Sequence, residues 1–156
     1  MASGKTTAAT ALGTKLGWTV TDLDVLIESQ TQQTISEIFT THGEEYFRAA
    51  ENRVLRKLLP HRHTVIATGG GTFVSKENRE LINRDGISVW LDVSLNTATQ
   101  RLASDNTRPL AAERDSMALL YADRRHAYNH AHLHLKADRA TTNELVAHIV
   151  TYLDQT

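Results

Sequence analysis

The sequence predicts an α/β domain with a largely parallel sheet. Short apolar, strand-like runs alternate with longer amphipathic stretches, only Pro60 and Pro109 interrupt the chain, and no Ser/Gly-rich linker divides its 156 residues. That length is one ordinary domain, over 1–156, and buries a core without staples. In chain order, residues 6–16 are rich in Ala and Leu and stop at Gly17, which predicts a helix with a glycine end. Residues 18–22 alternate like a short strand. Thr34 and Glu37 have capping-box spacing and open a helical stretch through Ile38. Residues 44–59 continue as a helix with Phe47, Ala50, Val54, Leu55 and Leu58 on one face, and Pro60 ends it. Residues 63–67 form an apolar strand running into Gly69, Gly70 and Gly71. Then come a helix over 76–83, a strand over 87–93, helices over 97–103 and 116–130, and a short strand over 133–135. Thr141 and Glu144 cap a last amphipathic helix to Leu153. A domain of this kind ordinarily opens on a strand, whereas this chain opens on a helix-entry loop.

Composition removes several function classes. There is no cysteine, so disulfides, thiolate zinc, iron–sulfur clusters and cysteine nucleophiles are all excluded. Seventeen Lys+Arg against 18 Asp+Glu leave a net charge of -1, which argues against a general nucleic-acid binder. The longest apolar runs, such as Val65-Ile66-Ala67, are too short to span a bilayer, and Met1 to Lys5 lacks the apolar stretch of a signal peptide. A soluble cytoplasmic monomer, without nucleic-acid or membrane partners, is expected. His126 and His130 lie four apart and His132 and His134 two apart, but no carboxylate or cysteine completes a familiar zinc spacing.

Four constellations bear on chemistry. Ser3-Gly4-Lys5-Thr6-Thr7 before a helix is the second half of a phosphate-binding loop, G-x-x-x-x-G-K-[ST]. Gly4 lets backbone amides turn toward an anion at a helix N-terminus, Lys5 supplies a compact charge for phosphates, and the Thr6 hydroxyl suits magnesium. An exposed lysine ahead of a helix reads these residues equally well. Asp22 and Asp24, two apart at a strand end, place both carboxylates on one side of an extended chain, one for a metal and one for a hydroxyl nucleophile. The bland alternative makes Asp24 a helix N-cap and Asp22 a solvated turn residue. Three glycines at 69–71 are entropically costly, so the backbone there is expected to approach a ligand closely. Arg48, Arg108 and Arg124 are candidate anion binders, although each alone reads as a solvated surface charge; Arg108 sits in Asn106-Thr-Arg-Pro-Leu110, a loop of the kind that forms lids.

Taken in order, these motifs resemble the shikimate kinase family, within the nucleoside-monophosphate-kinase-like P-loop kinases. The carriers are Gly-Lys-Thr-Thr at 4–7, Asp22-Leu-Asp24 before Ile27-Glu28, Ile35-Ser-Glu-Ile-Phe39, Gly43-Glu-Glu-Tyr-Phe-Arg48, Ala67-Thr-Gly-Gly-Gly71, Asn106-Thr-Arg-Pro-Leu110, and Arg124 four before Tyr128. The resemblance implies a three-layer architecture, a five-stranded parallel sheet flanked by helices, with a lid loop over 106–117 that closes on ATP. It implies that Ser3, Gly4, Lys5, Thr6, Thr7, Arg101 and Arg108 bind ATP, and that Thr6 and Asp22 hold Mg2+. Asp24, Arg48, Gly69, Gly70, Gly71 and Arg124 would bind shikimate, with Asp24 as base or orienter and Lys5 and Arg108 assisting transfer. The implied reaction is phosphorylation of the shikimate 3-hydroxyl by ATP in aromatic amino acid biosynthesis. Two other readings stand beside it: a kinase of another small hydroxy acid such as gluconate, and a nucleotide-binding module that does not catalyse. Against the family pattern, the first glycine of the phosphate loop would fall two positions before Met1. About ten more residues, one apolar strand and a turn, are expected upstream of it.

Overall fold

Local chemistry sets most of the element boundaries. The computed structural model describes residues 3–104 and 114–156. Helix α1 (Lys5–Leu16) ends because Gly17 takes the left-handed region at φ 67° and returns its amide to the Gly13 carbonyl. Strand β1 (Thr19–Asp22) leads straight into α2 (Leu23–Thr31), with Asp22 as the N-cap. The Thr34–Glu37 capping box opens α3 (Ile35–Leu58) as predicted. Gly43, at φ 80° and ψ 175°, breaks α3 into two arms. The sequence had pointed to separate stretches before and after that residue without identifying the hinge. There follow β2 (Thr64–Ala67), α4 (Lys76–Asp85), β3 (Val89–Asp92), α5 (Leu95–Ser104), α6 (Arg114–Tyr128), β4 (Leu133–Lys136) and α7 (Thr142–Leu153). The second predicted capping box, Thr141 with Glu144, starts α7.

Every strand pairing is parallel, in keeping with helical connections between strands. β1 pairs with β2, Val20 opposite Val65, and β3 pairs with β4, Leu91 opposite Leu135. The helix-flanked parallel architecture is as expected, and the described residues form the four strands read from the sequence, in two separate pairs. A cavity of about 820 Å³ is lined by Thr64 to Thr68, by Ser88 to Val93 and by the residues that open α1.

The core forms in patches that span this arrangement. Leu23, Ile27, Ile38, Phe47, Ala50 and Val54 join α2 to both arms of α3. Leu12 of α1 and Val146 and Ile149 of α7 pack together and receive Val65 from β2 and Val89 and Leu133 from the other pair, so these two helices strap the half-sheets together. Burial of such side chains at about 1.5–3 kcal/mol each is the main force holding them. No helix among the described residues is long and apolar enough to cross a membrane.

Candidate active site

Gly4 enters α1 at φ 81° and ψ 20°, a left-handed turn that glycine adopts without strain. Among the described residues no side chain caps α1, which leaves its first-turn amides for an anion. Ser3, Gly4, Lys5, Thr6 and Thr7 line one end of the large cavity. Lys5 Nζ stands 3.7 Å from Asp22 Oδ2, and the Thr6 hydroxyl donates to the same oxygen at 3.5 Å. One carboxylate and one hydroxyl meeting in front of a helix N-terminus is a hard-oxygen donor set, the kind that suits a largely hydrated Mg2+.

The two aspartates divide their roles differently from the strand-end reading. Asp22 caps α2, accepting from the Asp24 amide at 3.0 Å, so the expected alternative with Asp24 as N-cap is reversed. Asp24 lies in the first turn of α2 rather than on extended chain, and it faces the cavity. Burial pushes its pKa up, the neighbouring Asp22 charge adds to this, and Lys5 opposes it.

Each of the three glycines faces one charged side chain. A Cβ at Gly69 would lie 3.2 Å from Asp24 Oδ1; at Gly70, 2.7 Å from Arg124 Nη1; at Gly71, 2.6 Å from both Arg48 Nη atoms. None has positive φ, so space rather than conformation requires glycine here. The close approach expected of the triple glycine is met by the protein's own carboxylate and guanidinium groups.

Arg48 is aimed by a buried partner that sequence reasoning missed. Its Nη1 donates to Glu51 Oε2 at 3.0 Å, and its Nε and Nη2 donate to Glu44 Oε1. Glu51 is 1% exposed, and its other oxygen accepts from the Thr72 hydroxyl at 2.7 Å, directly after the glycines. A carboxylate in the apolar stripe of Phe47, Ala50, Val54 and Leu55 was the available signal. Arg124, by contrast, has no ion-pair partner among the described residues. Tyr128, one turn on, donates to the Gly70 carbonyl at 2.6 Å and ties α6 to the glycine segment. Arg108 lies outside the described residues, as do most of the segment 106–117 and the side chain of Arg101 on α5.

A helix entered through glycine with Lys and Thr in its first turn, an aspartate pair beside it and guanidinium groups around a cavity define a P-loop phosphotransferase of the small-molecule kinase class. A model of the shikimate kinase family matches residues 1–154, and the chain belongs to that family. It is 36% identical over 152 residues to a shikimate kinase of Sulfurihydrogenibium sp., covering 97% of this chain and 92% of the relative. A shikimate kinase of Rippkaea orientalis is 39% identical over 149 residues, 94% of this chain and 79% of the relative. Among solved structures, the shikimate kinase of Acinetobacter baumannii in complex with shikimate superposes with a TM-score of 0.90 at 32% identity, over 99% of this chain and 89% of that one.

Proposed function

We propose that the protein transfers the γ-phosphoryl group of ATP to the 3-hydroxyl of shikimate, giving shikimate 3-phosphate for aromatic amino acid biosynthesis, as a cytoplasmic monomer. The observation that carries this reading is the row of three glycines met by Asp24, Arg124 and Arg48 in turn. Two arginines suit one small carboxylate, and a carboxylate alongside them suits a hydroxyl to be activated.

The steps follow from the residues. Amides at the start of α1 and the Lys5 ammonium bind and neutralise the ATP phosphates, with Arg108 and Arg101 completing the nucleotide side. Thr6 and Asp22 hold Mg2+, which when bound offsets charge on the phosphates. Arg48, held by Glu51, and Arg124 grip the shikimate carboxylate and turn the 3-hydroxyl toward Asp24. Asp24 accepts that proton or orients the hydroxyl as the bond to phosphorus forms and the bond to the departing ADP oxygen breaks. Its raised pKa strengthens it as a base.

A coupled ADP-release assay tests the reading with shikimate, with gluconate and with no acceptor. Release that depends on shikimate alone supports it. Release with gluconate points to another hydroxy-acid kinase, and nucleotide binding without any release points to a non-catalytic module.

A further inference from the structure

One ion pair on α6 lies outside the clamp yet touches the element that carries it. Arg125, next to Arg124, reaches a different partner: its two terminal nitrogens donate to the two carboxylate oxygens of Asp92 at the end of β3, one of them at 3.1 Å. Its Nη1 also donates to the Tyr121 hydroxyl at 2.8 Å, and that hydroxyl donates to the Val93 carbonyl at 2.7 Å. The guanidinium lies over the Trp90 ring, 4.8 Å from its centroid, and Trp90 in turn meets Tyr128 at 5.6 Å between centroids. A two-pronged, stacked arginine of this kind is geometrically selective rather than a loose surface charge.

We propose that Arg125 and Asp92 are positioning residues for the substrate clamp: their ion pair fixes the rotation of α6 on the end of β3 and so sets Arg124 against Gly70. Adjacent residues on a helix point about 100° apart, so anchoring Arg125 on β3 determines where Arg124 emerges. Tyr128, a turn further on, gives α6 its second hold, on the Gly70 carbonyl. Two fixed points on different strands' ends leave the helix little freedom to roll. The inference rests on the reading of Arg124 as a carboxylate ligand.

The test is steady-state kinetics of the full chain with the variants Arg125→Ala, Asp92→Asn, the double variant and Arg124→Ala, with shikimate binding by calorimetry beside it. Arg125→Ala and Asp92→Asn are each expected to raise KM for shikimate by about 10- to 100-fold, as misplacing a binding group does. KM for ATP should stay within about twofold, since the nucleotide side is untouched. The double variant should be no worse than the more severe single one, because both remove the same contact. Arg125→Lys, with charge but no fork, should fall between. An unchanged shikimate KM in Arg125→Ala, or KM values for both substrates rising together, overturns the inference, as do fully additive losses. If Arg124→Ala itself binds shikimate normally, it is the clamp reading that fails, and that outcome is separable from the others.

Discussion

A methyl group at position 71 would sit 2.6 Å from both terminal nitrogens of Arg48, too close for either to stay. The guanidinium is the far end of a flexible side chain, so Gly71→Ala should fold and displace it rather than unfold the chain. KM for shikimate should rise about tenfold or more while KM for ATP holds, read by two-substrate kinetics. Asp24 carries a second prediction with a definite sign. Its folded pKa is raised, so its contribution to stability is present below the unfolded pKa and is lost as pH rises through the folded one. At neutral pH the ionised carboxylate therefore costs stability, and Asp24→Asn should melt higher than the parent. The same substitution should lower kcat by about 10²- to 10⁴-fold, with ATP binding retained. Near-normal turnover would remove Asp24 from its role. These residues were legible because glycines, aspartates and arginines in fixed order carry their chemistry in their identity. Glu51 was not, since its role depends on being buried between Arg48 and Thr72, which only packing reveals.

At the scale of elements, the caps were readable and the hinge was not. Thr34 with Glu37 and Thr141 with Glu144 declare helix starts through side chains that satisfy backbone amides locally. Gly43 sits between two helical stretches, where a glycine alone does not distinguish a hinge from a weak helix position. Its φ of 80° and ψ of 175° fall where glycine alone is at ease, and the bend turns the arm that carries Arg48. Gly43→Ala should cost about 1–3 kcal/mol of stability, seen as a lower melting temperature, and should weaken shikimate binding as the arm shifts. Strand pairing was equally hidden. Four-residue strands such as Thr64–Ala67 declare an apolar pattern but not a neighbour, and partner choice is settled only by assembly.

At the scale of the whole molecule, the substrate clamp is assembled from elements far apart in the chain. Arg48 belongs to the side built from α3, α2 and β1, while Arg124 rides on α6, which Arg125 and Tyr121 hold to the end of β3. A molecule gripped by both arginines therefore joins the α3 side of the protein to the α6 side. Shikimate at about 100 times its Kd should stabilise the folded protein by about 2.7 kcal/mol, seen as a higher melting temperature. The acceptor substrate thus becomes a structural member of the protein that phosphorylates it.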